Sequence, residues 1–220
     1  MIRIVLFVDS PFTENNVREI FAYIYRVHIK IKRSTNSTVR YLSTNFFEII
    51  FCSQFLGKWY EIERYPTWYE DLGRCAYKHI RACGRRIEIE HVFVRDGIEF
   101  VLHVNSSYIA GDDAIFEVKE NNIDPLGIPL KVIATDYTNF AVVYGCKNQT
   151  LLERRYVTAW ILSRDRTLAP ELHEEAHAEL RSIKYAGTAY LETVEQSEDK
   201  CQYHWSAHVQ AVDQTEEGEK

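Results

Sequence analysis

The chain has 220 residues, 46% of them hydrophobic and 13% aromatic, with a formal net charge of −6. That is enough for one globular domain with a sizeable core and some length to spare. The acidic balance gives no support for nucleic acid as a partner, and no run approaches the roughly 18 consecutive apolar residues of a membrane-spanning helix.

Residues 1–53 differ from the rest. They hold 7 Lys/Arg and 4 Asp/Glu, a net of +3, whereas residues 54–220 hold 19 and 28, a net of −9. The apolar run Ile4–Val8 ends at Asp9. It is shorter than a signal-peptide core of about 7–15 residues, and no small-residue cleavage site follows. Arg26–Arg40 is basic and rich in Ser, Thr and Asn, and Asn45–Phe55 is apolar but interrupted by Glu48. The expectation is an atypical leader, either disordered or an artefact of the gene model. Phe51-Cys52-Ser53 can be encoded by a pyrimidine run ending in AG, the pattern of a splice acceptor. A continuous transcript across these codons, with no shorter form, would instead make the leader a divergent extension.

From Phe55 onward apolar runs alternate with turn residues. The first strand is expected over Phe55–Tyr65, ended by Pro66, and the second over Arg74–Ala82, with Cys83-Gly84 as its turn. The third, Arg85–Arg95, alternates Ile87, Ile89, His91 and Phe93 against Glu88 and Glu90; Asp96-Gly97 then gives a tight hairpin. Ile98–Tyr108, Ala114–Lys119, Leu130–Thr135, Phe140–Lys147 and Arg155–Arg164 complete eight strands. Gly111-Asp112-Asp113 and the loop Asn121–Pro129 separate members of that series. This pattern predicts an all-β fold, an eight-stranded up-and-down antiparallel barrel, wide enough inside for side chains or one small ligand. Leu168, Leu172, Ala176, Leu180 and Ile183 then recur at helical spacing, with Pro170 near the start. They predict one C-terminal helix over 169–183 against the barrel wall. A last strand around Ala189–Val194 and a polar tail over 202–220 follow, with Gln214–Lys220 disordered.

Three motifs sit at strand edges: Gly57-Lys58-Trp59-Tyr60-Glu61, Thr135-Asp136-Tyr137 and Trp160-Ile161-Leu162-Ser163-Arg164. In a closed barrel Trp59 would plug one end, Arg164 would lie across its indole, and Asp136 would accept backbone N–H bonds in a tight turn. That trio, in that order, resembles the lipocalin family. The wording GKWYEIERYP, LGRC, ATDYTNFAVVYGC and AWILSR is similar to its apolipoprotein D branch, which also holds the insect bilin-binding proteins. The resemblance covers about residues 54–201. It implies a disulfide between Cys75 and Cys201, and a second from Cys146 to a cysteine ahead of the first strand, for which Cys52 is the only candidate. Cys83 is extra, either a free thiol or an intermolecular link. Read without the resemblance, all five cysteines could be reduced and buried.

Strand alternation suggests the lining of a pocket. Tyr156, Thr158, Trp160 and Leu162 share a face with Arg164; Phe140, Val142 and Tyr144 share another, and Phe100, Leu102 and Val104 a third. Trp160 matches a pocket tryptophan of the branch. Lys131 stands where apolipoprotein D has a pocket aromatic, and could offer a cation to an anionic ligand. Trp68 and Tyr69 lie in the loop at the open mouth, where they could gate the pocket or dip into a lipid surface or lipoprotein particle. Asn36, Asn105 and Asn148 begin N-glycosylation sequons.

One motif points elsewhere. His173-Glu174-Glu175-Ala176-His177 matches H-E-x-x-H, the zinc-hydrolase signature, in which two His on one helix face bind metal and the Glu acts as base. No third protein ligand is evident, since His204 and His208 lie in the tail, and a solvent-facing acidic stripe is the competing reading. The sequence therefore suggests no metal and no cofactor. The resemblance implies a secreted, non-enzymatic carrier of a small hydrophobic molecule (a fatty acid, sterol, retinoid or bilin), despite the missing signal peptide. A lipocalin-fold protein-binding module or inhibitor with a filled cavity is the alternative; the oligomeric state is not readable.

Overall fold

The computed structural model describes residues 54–81, 87–109, 114–149 and 153–213. The leader, Cys52, Cys83, the Asn36 sequon and Gln214–Lys220 lie outside them. Eight antiparallel strands form the barrel: β1 (Gly57–Arg64), β2 (Arg74–Ile80), β3 (Ile87–Arg95), β4 (Ile98–Ile109), β5 (Ala114–Val118), β6 (Leu130–Thr135), β7 (Phe140–Gln149) and β8 (Arg154–Ser163). Each pairs with the next, β8 pairs with β1, and the ring is closed. Closure leaves no free sheet edge along most of the ring.

The helix α1 (Pro170–Arg181) begins with proline in its first turn and buries Ala176 and Leu180. These pack on the outer wall against Phe140, Val142, Tyr144, Ala159 and Ile161. A separate core fills the barrel, built from Trp59, Ile87, Phe93, Leu102, Phe116, Val143, Trp160 and Leu162 among others.

Two expectations about the C-terminus are corrected. The strand expected at Ala189–Val194 is a short 3-10 turn, Thr188–Tyr190, followed by β9 (Glu192–Thr193), which pairs with β1. The segment expected as a polar tail contains β10 (Trp205–Gln210), which runs parallel to β4 from Trp205↔Ile98 to Gln210↔His103. Its cause is local. β5 is short and pairs only with residues 106–109 of β4, so the 98–103 edge offers backbone groups that β10 satisfies. Cys201, four residues upstream, is bonded to Cys75 at the start of β2, with a Cα–Cα distance of 5.5 Å.

Candidate functional site

At the closed end, Trp59 is fully buried and donates from Nε1 to Phe55 O at 2.9 Å. The Arg164 guanidinium carbon lies 3.7 Å from its ring centroid. Arg164 also donates to the carbonyls of Gln54, Leu56, Lys58 and Tyr137, at 2.7–3.1 Å. Gly57 has φ +95°, and a Cβ there would sit 3.3 Å from Arg164 Nη1, so glycine suits both the backbone and the clamp. At the turn between β6 and β7, Asp136 accepts from the N–H groups of Thr138, Asn139 and Phe140. Burial raises its carboxyl, but the Asn139 amide and these backbone donors outweigh burial and hold it below the ordinary value.

The opposite half contains a cavity of about 190 Å³ open to the centres of water molecules. Ile89, Val104, Val118 and Leu130 form its apolar wall; Tyr156, Thr158 and Trp160 of β8 form another side. Pro66–Tyr69 and the 123–128 loop cover the mouth. Gly145 lies beside it, where a Cβ would come within 2.8 Å of both Ile128 and Thr158. The Thr158 hydroxyl is buried and has no hydrogen-bond partner among the described residues. Trp68 is 64% exposed, and Tyr69 turns its ring edge-on to His91 at 5.9 Å.

Beneath the cavity is a cluster of charge that the sequence reading did not single out. Lys78 Nζ sits 2.7 Å from Glu61, 3.2 Å from Glu70 and 2.9 Å from His91 Nδ1, and 4.2 Å from the centroid of the Trp160 ring. Arg64 bonds Glu61 at 2.9 Å and the carbonyl of Gly73 at 2.8 Å. Glu70 accepts from Thr67 Oγ1 at 2.7 Å and from Trp160 Nε1 at 3.4 Å. All five ionisable groups are nearly or wholly buried. Burial raises the Glu70 carboxyl, but Lys78, His91 and Arg64 outweigh it and hold Glu70 well below the usual range. Glu61 is pushed up, by burial and by Glu70 beside it. Burial and the Lys78 charge lower the His91 pKa, with Glu70 opposing them in part; its Nδ1 lies 2.9 Å from Lys78 Nζ and 3.4 Å from Glu70 Oε1. Two carboxylates thus face two cations, which is how such a cluster survives desolvation.

Several expected lining residues stand elsewhere. Phe140, Val142 and Tyr144 lie on the outer wall under α1; Trp160 pairs with Val143, so Ala141, Val143 and Gly145 face in. β7 is apolar on both faces because the helix covers its outside, and alternation there cannot tell in from out. Lys131 pairs with Tyr144, so it shares that outer face and does not line the cavity. The buried cations near the cavity are Lys78 and Arg64 instead. Phe100 and Leu102 are on the inner side, but Leu102 is packed core and Phe100 stacks on Phe93 at 5.3 Å; among the described side chains of β4, Val104 alone reaches the cavity. Cys146 has no disulfide partner among the described residues. Asn105 and Asn148 are both exposed. His173 and His177 do not form part of a solvent-facing stripe. Their rings turn to the barrel wall, where Glu63 supplies the third donor that the sequence did not show.

Residues 56–203 match the family model of the lipocalin / cytosolic fatty-acid binding protein family. The chain belongs to the lipocalin family. Among curated relatives, bilin-binding protein of Pieris brassicae is 26% identical over 129 residues, 54% of this chain and 64% of that protein. Apolipoprotein D of Macaca fascicularis is 35% identical over 122 residues, again 54% of this chain and 63% of that protein. The matches therefore span somewhat under two thirds of these two relatives. Together they place this lipocalin with the apolipoprotein D and insect bilin-binding branch. Among solved structures, insecticyanin from the tobacco hornworm Manduca sexta superposes with a TM-score of 0.58 at 22% identity, covering 73% of this chain and 87% of that one. At that identity the likeness shows the shared lipocalin barrel.

Proposed function

We propose that this lipocalin is a secreted carrier that holds a small hydrophobic molecule in the barrel cavity and performs no chemical step on it. The observation that carries this reading is a covered apolar cavity bordered by Trp160 and containing one unpartnered buried hydroxyl, Thr158. Apolar walls supply affinity and a single polar group sets orientation, the usual division of labour in ligand pockets. The names of the relatives agree in kind, since one is a bilin-binding protein. The Cys75–Cys201 bridge supports an oxidising, extracellular setting.

The half of the barrel toward Trp59 is packed with side chains, and the charge cluster floors the cavity above it, which favours a compact ligand over a long chain running the full barrel. Trp68 and Leu72, 64% and 83% exposed at the mouth, support delivery of that ligand from a lipid surface or lipoprotein particle. The test is a tryptophan-fluorescence titration of the delipidated full chain with arachidonate, retinol, a steroid and biliverdin. Saturable quenching that Trp160→Ala abolishes is expected. No response to any of the four from folded protein would instead favour a protein-binding module, for which the packed half of the interior already argues.

A further inference from the structure

We propose that Glu63, His173 and His177 form a zinc site that fastens α1 to the outer wall of the barrel. His173 and His177 are four residues apart on one helix, so their rings lie on one face, 4.4 Å apart and tilted by 50°. Both converge on a single carboxylate oxygen of Glu63. His177 Nε2 is 2.5 Å from Oε2, and His173 Nε2 is 3.2 Å from the same atom.

Glu63 reaches the helix because of a backbone irregularity. On an unbroken β1, Trp59, Glu61 and Glu63 would all face inward. The register with β8 shifts between Glu61 and Glu63: Glu61 stands opposite Leu162 of the inner core, and Glu63 opposite Ile161, which packs under α1. The bulge therefore turns Glu63 outward and returns Arg64 to the interior, opposite Trp160.

The second observation is the state of His173 Nε2. It is buried and makes no hydrogen bond among the described residues, although Glu63 Oε2 is only 3.2 Å away. The approach is close but no N–H is directed along it. A buried ring nitrogen left in that state is costly, and a cation between nitrogen and carboxylate would satisfy both.

Two imidazoles and one carboxylate are a familiar zinc donor set, with a fourth position for water. In a tetrahedral site with bonds of about 2.0–2.2 Å, neighbouring donors stand roughly 3.3 Å apart. The His173–Glu63 separation already fits, and His177 and Glu63 need only open by about 0.8 Å. The role is structural. Glu174, which the motif would make a general base, has a side chain 76% exposed and paired with Arg181 at 3.9 Å. The other trio of close donors, Glu61, Glu70 and His91, already surrounds Lys78 and has Arg64 alongside, so a further cation there would be repelled.

The test titrates zinc chloride into chelator-stripped full-length protein by calorimetry, with cobalt(II) as a spectroscopic stand-in. One saturable equivalent, a higher thermal midpoint with zinc and a tetrahedral-type cobalt spectrum are expected. Glu63→Gln, His173→Gln and His177→Gln should each weaken zinc binding at least about tenfold and abolish the cobalt signal, because loss of a direct ligand exceeds typical outer-shell effects. His208→Gln, at the exposed His103–His208 pair, should change neither. Circular dichroism would establish that each variant is folded; His173, whose Nε2 makes no hydrogen bond among the described residues, gives the variant least prone to misfold. Absence of saturable binding or of the tetrahedral spectrum in the folded wild type overturns the site. So does zinc binding that survives Glu63→Gln or disappears in His208→Gln.

Discussion

The two halves of the barrel interior are filled by opposite means. Toward Trp59, an indole with no exposed surface is held under a guanidinium that is itself tied to four backbone carbonyls. Toward Tyr156, apolar walls leave open volume above a neutralised cluster of Glu61, Arg64, Glu70, Lys78 and His91. The first half is specified by dense packing and satisfied donors. The second is specified by a polar floor that cannot collapse into the space above it without leaving charges unpaired. The contrast teaches that a barrel of one architecture can keep its stability and its ligand chemistry in different places.

Substitutions can break that contrast. Trp59→Ala removes the plug and leaves Arg164 without its ring, and should cost about 4–5 kcal/mol in urea unfolding. At temperatures where the variant stays folded its ligand affinity should change little; a parallel loss of binding would mean the halves are not independent. Lys78→Met leaves Glu61 and Glu70 facing each other without their shared cation. It should cost roughly 3 kcal/mol or more and also disturb the cavity through Trp160.

A smaller effect follows from His91. Its folded-state pKa lies below the ordinary value, so the unfolded chain takes up the proton first as pH falls. Stability attributable to this ring is therefore complete above pH ~6.5 and declines as pH drops below it. Between pH 7.5 and 5.5, wild type should lose up to about 1 kcal/mol more than His91→Asn, measured by urea unfolding at each pH. Equal slopes would show that the ring does not titrate this way. Smallest of all in stability is Thr158→Val. Removing an unpartnered buried hydroxyl should be neutral or stabilising by less than about 1 kcal/mol, while weakening a ligand with a polar group several-fold. A variant that bound its ligand as tightly as wild type would show that this hydroxyl does not orient it.

Much of the barrel was legible because its turns are written in Asp-Gly and Thr-Asp-Tyr and its antiparallel strands alternate. Tyr156, Thr158 and Trp160 could be placed on one face from Arg164 alone. β7 could not be read this way, since Phe140 through Tyr144 are apolar on both sides. The charge floor had a faint signal: Lys78 stands directly opposite Trp59, and His91 directly opposite Lys78, so a charged row crossed strands at an inward position. Reading it requires the inter-strand register, which one strand's sequence does not contain. The bulge after Glu61 left no signal at all, and with it went Glu63. β10 was hidden because Trp205–Gln210 reads as polar, and its pairing depends on how short β5 is.

That short strand has a consequence for the covalent chemistry of the chain. The Cys75–Cys201 bond acts as a tether. It holds residues 205–210 at high effective concentration next to the one stretch of β4 that β5 does not cover. Cutting the tether turns an intramolecular strand into one that any neighbouring molecule could replace. Reduced protein should therefore become prone to strand exchange, forming dimers linked through β4 whose population grows with protein concentration and reverses on reoxidation of dilute samples. Size-exclusion chromatography under reducing and oxidising conditions would measure it, and a monomer at all concentrations when reduced would show that β10 holds its place by hydrogen bonds alone.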